Sequence, residues 1–147
     1  MNQLTMRQAV QADQERLADL RALVLYDDLT RLGRYDELKV RERFRNTFDP
    51  IYTWIIELEG SSVGCVALKP RSEGVLLEHF YIHPDVQGRK LGTRVLEILL
   101  GQDEVKGKRV ILNVLKGSPA QRLYERFGFV MDREDEVDVF MSVQVPQ

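Results

Sequence analysis

Val86-Gln87-Gly88-Arg89-Lys90-Leu91-Gly92-Thr93 is the stretch on which the reading of this chain turns. Upstream of it, Ser72-Glu73-Gly74 marks a turn, and Val75 to His83 reads as a strand that stops at Pro84. Downstream, Gln87 to Leu100 places Leu91, Val95, Ile98 and Leu99 on one helical face. Arg109 to Leu115 is almost continuously apolar, the pattern of a strand covered on both faces. A strand, a helix and such a strand in succession predict a right-handed parallel crossover. The quoted octapeptide is the point where strand passes into helix. Its glycines let the backbone approach a ligand, and the helix start offers unpaired N–H groups and the positive end of the dipole to a phosphate. Arg89, Lys90 and Arg94 add side-chain charge. A plain strand–helix connection looks much the same locally. A Walker A loop is excluded, because no Gly-Lys-Ser/Thr follows at the required glycine spacing.

Working outward, Leu4-Thr5-Met6-Arg7 alternates as a short strand, and Asp13 is placed to cap a helix carrying Leu17, Leu20 and Val24. A charge-rich helix is expected from about Tyr35 to Phe48, stopping at Asp49-Pro50. Ile51 to Leu58 and Val63 to Leu68, joined by Glu59-Gly60-Ser61, carry a hairpin signature. Ser118-Pro119-Ala120-Gln121 reads as a capping box with proline at the first helical position. That helix sets Ala120, Leu123, Tyr124 and Phe127 on one stripe and ends at Gly128, and Val137 to Val145 supplies a last strand. The class is α+β, a mixed sheet antiparallel at its ends with one parallel crossover.

The 147 residues suit a single domain over 1–147 with a real core. Twenty-one Lys and Arg against 23 Asp and Glu give a net charge of −2, which argues against a nucleic-acid binder working by bulk phosphate attraction. Cys65 is the lone cysteine, so neither an intrachain disulfide framework nor a Cys-rich zinc site is available, and a reducing compartment fits. Met1-Asn2-Gln3-Leu4-Thr5 has no basic region followed by an apolar stretch, so no signal peptide is read. Apolar runs such as Val75-Leu76-Leu77 fall far short of the ~20 residues of a membrane span. A cytoplasmic protein that binds neither membrane nor nucleic acid is expected.

After the strand Arg109 to Leu115 come Ser118-Pro119-Ala120 and then Leu123-Tyr124-Glu125-Arg126-Phe127-Gly128-Phe129. With the Gln-x-x-x-x-Gly loop at Gln87 to Gly92 and the Leu77 to Pro84 strand before it, this order and spacing resembles the GCN5-related N-acetyltransferase superfamily (GNAT). The resemblance covers nearly the whole chain. It implies the GNAT-like fold, a central mixed sheet of about six to seven strands flanked by about four helices. It also implies transfer of an acetyl group from acetyl-CoA, the co-substrate, to an amine, with no metal.

The resemblance further implies that the backbone of Phe80, Tyr81 and Ile82 binds the pantetheine arm. The Ile82 amide would polarise the thioester carbonyl and stabilise its oxyanion. The pyrophosphate would rest on the amides of Gly88, Arg89, Lys90, Leu91, Gly92 and Thr93, with Gln87 and Arg89 bracing the turn. Two positions depart from the family pattern. Lys90 stands where the motif usually has its first glycine, so its backbone angle must suit a side chain. Ser118 stands where an asparagine often contacts the cofactor arm, and helix capping competes for its hydroxyl.

Acetyl transfer needs two proton movements. An alkylamine of pKa ~10 must lose a proton before it attacks, and the leaving thiolate takes one up. Tyr124 matches the family's tyrosine acid, although its place on an apolar stripe equally suits a core tyrosine. Glu78 is the candidate base. A carboxylate on an otherwise apolar strand is costly to bury unless partnered, and alternation would put it on one side with Phe80 and Ile82. An ion pair or a water-exposed strand end accounts for it as well. His79 is the second choice of base, and His83 beside Pro84 reads as loop polarity. On a strand these two histidines lie roughly 13 Å apart, at ~3.3 Å per residue, too far for a metal pair. Lys116 and Arg122 could meet an adenosine phosphate or simply face solvent. The acidic run Asp132 to Asp138 could attract a cationic amine or form a charged hairpin turn. Cys65, in a hairpin strand with no cue for activation, reads as a packed small residue.

Taken together, these readings give an N-acetyltransferase that moves acetyl from acetyl-CoA to a primary amine of a small molecule or peptide by direct attack. The rival is a non-catalytic acetyl-CoA-binding regulatory module of the same fold. A homodimer is compatible with the resemblance.

Overall fold

The computed structural model describes residues 3–147, so Met1 and Asn2, at the head of the segment read for a targeting signal, lie outside it. Twelve principal elements follow one another among the described residues: β1 (Leu4–Gln8), α1 (Gln14–Val24), α2 (Tyr26–Arg31), α3 (Glu37–Thr47), β2 (Thr53–Leu58), β3 (Ser61–Arg71), β4 (Gly74–Ile82), α4 (Leu91–Leu100), β5 (Arg109–Leu115), α5 (Ala120–Arg126), β6 (Val130–Glu134) and β7 (Asp138–Gln144). The strands form one seven-stranded mixed sheet in the order β1-β2-β3-β4-β5-β7-β6. Five α-helices accompany it, one more than expected. The chain gathers into two compact units, residues 3–68 with 79–87 and residues 69–78 with 88–147, and β3 and β4 run through both. Among the described residues no helix is long and apolar enough to cross a membrane.

In the first unit, β2 and β3 form the expected hairpin, paired from Leu58↔Ser61 onward. Its two loop residues, Glu59 (φ 51°) and Gly60 (φ 84°), are both left-handed, the type I′ geometry whose twist matches that of the flanking strands. β1 adds antiparallel to β2, from Leu4↔Leu58 to Gln8↔Trp54. The core here is Ala9, Leu17, Ala18, Phe44, Ile55, Cys65 and Tyr81, with Leu20, Val24, Leu25 and Phe48 packed against it. Each large member contributes about 1.5–3 kcal/mol by leaving water. α3 begins where Asp36 accepts hydrogen bonds from the Leu38 and Lys39 amides, and it ends before Asp49-Pro50 as read. Asp13 precedes α1 as predicted, but its side chain does not cap that helix. It binds Arg7, Arg16 and the Val10 amide instead. α2 was not foreseen, because its only buried residue is Leu29 and six residues carry no legible period.

In the second unit, β4 and β5 are parallel in the register Val75↔Val110 and Leu76↔Ile111, as the crossover requires. Gly74 (φ 143°) permits it, since a Cβ there would lie 2.2 Å from the Arg109 carbonyl oxygen. α4 starts at Leu91, four residues later than read. It buries Leu91, Val95, Leu96 and Leu99, while Ile98 is 45% exposed. At about 100° per residue the buried arc runs from Leu91 through Val95 and Leu99 to Leu96, and Ile98 falls outside it on the Leu91 side. β5 is not covered on both faces. Val110, Leu112 and Val114 are buried, Arg109 and Asn113 exposed, so its apolar run hides an ordinary alternation. α5 ends at left-handed Gly128 (φ 89°). Before it, Ser118 Oγ accepts from the Ala120 amide at 3.2 Å, but Gln121 reaches Glu125, so the capping box is only half made. β6 was missed because all five of its residues are exposed and none alternates. It pairs antiparallel with β7, and the acidic run forms the end of β6 and the turn between them. There Asp135 Oδ1 accepts from the Val137 and Asp138 amides.

Candidate active site

The second half of β4 departs from a regular strand. His79 has φ 51°, a left-handed residue in the middle of an extended segment. The pleat is locally distorted at residue 79, while burial along β4 still alternates, with Val75, Leu77 and Tyr81 buried and Glu78, Phe80 and Ile82 half-buried. Glu78 is ion-paired with Lys69 of β3, Nζ to Oε2 2.5 Å, the two side chains being 10% and 20% exposed for Lys69 and Glu78. Lys69 carried no signal in the sequence, since pairing it with Glu78 requires the β3–β4 register.

Beyond His79, the backbone directions decide what a ligand could reach. The His79 carbonyl accepts the Cys65 S–H at 3.2 Å, the Tyr81 amide donates to the same sulfur, and the His83 amide donates to the Val63 carbonyl at 2.8 Å. The Tyr81 carbonyl lies against Gly64, where an added Cβ would be 2.3 Å from its oxygen. Residues 79, 81 and 83 thus turn their peptide groups toward β3, and strand geometry turns those of Phe80 and Ile82 the opposite way. Of the three residues assigned to the pantetheine arm, Phe80 and Ile82 have the outward direction; Tyr81 does not, and its side chain is in the core. The Ile82 carbonyl accepts from Gln87 Nε2 at 2.9 Å, so Gln87 ties the loop back to the strand end. His83 Nδ1 accepts from the Asp85 amide at 3.1 Å, a local turn contact. Cys65 is fully buried, and burial pushes its thiol up to about 12, which leaves it no thiolate to act as a nucleophile.

In the second unit, Lys90 precedes α4 with φ 59° and ψ 26°. The residue standing at the family's glycine position adopts the backbone a glycine would take, and Gly88 (φ 87°) does so with open space around it. No side chain caps α4, in contrast to Asp36 at α3. The first intrahelical bond from this end is Arg94 N–H to the Lys90 carbonyl, so the amides of Leu91, Gly92 and Thr93 open the helix. Tyr124 is buried on α5, edge-on to Phe129 with ring centroids 5.6 Å apart, and its carbonyl takes the Phe127 and Phe129 amides that end the helix. Lys116 pairs with Glu134 at 2.9 Å and Arg109 with Asp132 at 2.9 Å, so the acidic run is partly balanced. Arg133 lies over the Phe140 ring at 3.7 Å.

The family model described as "Acetyltransferase (GNAT) domain" matches residues 49–131. Among solved structures, the PaiA N-acetyltransferase of Thermoplasma acidophilum, in complex with coenzyme A, superposes with a TM-score of 0.74 at 16% identity, covering 97% of this chain and 99% of that one. The ribosomal-protein-S18-alanine N-acetyltransferase of Escherichia coli gives 0.74 at 18% identity over 99% and 96%. An acetyltransferase of Thermus thermophilus gives 0.73 at 20% identity over 98% and 99%. No curated protein matches the sequence. At these identities the structural likeness speaks to the fold, and the family match covers more than half of the chain. This chain belongs to the GNAT acetyltransferase family.

Proposed function

We propose that the protein is an N-acetyltransferase that takes acetyl-CoA and passes the acetyl group directly to a primary amine of a small molecule or peptide. The observation that carries this reading is the start of α4, whose first amides follow left-handed Lys90 and Gly88 with no side-chain cap. Such an end suits a pyrophosphate, since it supplies donors and the positive dipole end together. Gly88, Arg89, Lys90, Leu91, Gly92 and Thr93 hold the phosphates in this proposal, Gln87 braces the turn, and Ser118 contributes its hydroxyl near the arm. The outward backbone of Phe80 and Ile82 takes the pantetheine and the thioester oxygen.

The amine nitrogen attacks the thioester carbon, its surplus proton passing to Glu78 or to a water that Glu78 holds. The oxyanion rests on the Ile82 amide. The C–S bond then breaks, and the sulfur takes the Tyr124 proton. The buried lone cysteine supports the cytoplasmic expectation. The Lys69–Glu78 ion pair is the one observation that favours the alternative, a non-catalytic acetyl-CoA-binding module, because it gives Glu78 a purely structural partner.

The test is calorimetry with coenzyme A and acetyl-CoA, followed by an amine screen reading free thiol, on wild type and Tyr124→Phe. Loss of a general acid lowers kcat by about 10²-fold or more, with coenzyme A affinity retained. No binding to either nucleotide refutes the reading, binding without turnover on any amine favours the module, and unchanged turnover in Tyr124→Phe removes Tyr124 from the mechanism.

A further inference from the structure

His79 is the residue that the fold treats least like its neighbours. A non-glycine residue in the left-handed region is strained, and such conformations persist where the surroundings over-determine them. Here the surroundings are specific. His79 Nε2 lies 2.6 Å from Thr47 Oγ1 at the end of α3, and Nδ1 lies 3.2 Å from the Tyr81 hydroxyl. The imidazole also packs on Phe44, ring centroids 4.6 Å apart.

The direction of these bonds can be read from their ends. The Thr47 hydroxyl donates its proton to the Arg43 carbonyl at 2.9 Å, so toward the imidazole its oxygen accepts, and Nε2 carries the hydrogen. Nδ1 is then the acceptor, filled by the Tyr81 O–H. The Tyr81 oxygen in turn accepts from Arg21 Nε at 2.9 Å, and Arg21 Nη1 donates to the Val40 carbonyl at 2.6 Å. One unbroken chain of donors and acceptors links α1, β4 and α3, and the Nε2–H tautomer is the form that serves every member.

We propose that His79 is a positioning residue, its imidazole clamped between Thr47 and Tyr81 so that the left-handed turn in β4 aims the peptide groups of Phe80 and Ile82 at the thioester. The inference rests on the function proposed above and adds to it. Residue 79 sets the plane of the peptide that precedes Phe80, so loosening the clamp swings the donors that follow. A misplacement of ~1 Å at such donors costs up to 10²-fold in rate. The clamp is built from side chains that need never touch substrate.

The experiment compares wild type with Thr47→Val, which keeps the shape of the side chain, and His79→Gly, which accepts the left-handed backbone but has no ring. Expected are a kcat lowered about tenfold in Thr47→Val and at least as far in His79→Gly, KM for acetyl-CoA within twofold of wild type, and an unchanged circular dichroism spectrum for Thr47→Val. Nitrogen-15 NMR of wild type reads the Nε2–H tautomer at His79, and in Thr47→Val it reads a tautomer mixture. Full kcat in either variant, or an Nδ1–H tautomer in wild type, overturns the clamp while leaving the proposed function standing. A wild type that binds no coenzyme A overturns the proposed function, and with it the purpose given to the clamp.

Discussion

Gly64→Ala tests the close approach on which the geometry of the strand end depends. Gly64 sits in β3, and a Cβ there would meet the Tyr81 carbonyl oxygen at 2.3 Å, the Ile82 Cα at 3.2 Å and the Tyr81 carbonyl carbon at 3.3 Å. Ordinary contact begins at 3.4 Å, so the oxygen must yield by 3.4 minus 2.3, or 1.1 Å. All three atoms are backbone, and no rotamer change relieves them. Overpacking of this kind costs about 1–3 kcal/mol. On conformational entropy alone, alanine for glycine in a strand would stabilise by roughly 0.5–1 kcal/mol, so the two effects have opposite signs and the larger one is legible. The displaced atoms are the Tyr81 carbonyl and the Ile82 Cα, which flank the Ile82 amide proposed to face the thioester, and a shift near 1 Å there lowers kcat by up to ~10²-fold. Urea unfolding gives the stability change, and steady-state kinetics with calorimetry of coenzyme A gives the functional one. A G64A protein more stable than wild type with unaltered kcat would refute the reasoning.

Two further predictions concern single side chains. The Arg7 guanidinium is the main influence holding the Asp13 carboxyl at about 2, below its ordinary 3.8, against burial and helped by the Val10 amide and Arg16. At 1.36 kcal/mol per unit this is about 2 kcal/mol of stability, present above pH ~4 and lost as the pH falls toward 2. Asp13→Asn should lower the urea midpoint at pH 6 and flatten its decline between pH 4 and 2; a decline as steep as wild type counts against the assignment. Lys90→Gly should raise the melting temperature by the equivalent of about 0.5–1 kcal/mol, since relief of the left-handed backbone, about 1–2 kcal/mol, exceeds the entropic cost of glycine. A lower melting temperature would show that the Lys90 side chain contributes more than its backbone costs.

What could be read from the residues alone was whatever short-range physics decides. Glu59-Gly60 specifies a hairpin because two left-handed positions suit a type I′ turn. Asp49-Pro50 stops α3, Gly128 ends α5, and the parallel crossover with its uncapped helix start follows from periodicity and length. The motifs around Gln87 to Gly92 and Leu123 to Phe129 carried the family, but the expectation that the Lys90 backbone would suit a side chain did not hold, since Lys90 keeps the left-handed backbone of the glycine it replaces. The tertiary structure decided the rest. Glu78 meets Lys69, and His79 meets Thr47, 32 positions away, through strand register and helix packing that no local pattern encodes. Asp13 gave up its helix for Arg7, β6 escaped notice because it buries nothing, and Ile98 yielded its place to Leu96 because the buried arc is set by what the helix packs against. A turn or a cap is settled within a few residues by sterics and hydrogen bonding, whereas the partner of a charge and the direction of a peptide group are settled by whichever distant segment the folded chain brings alongside.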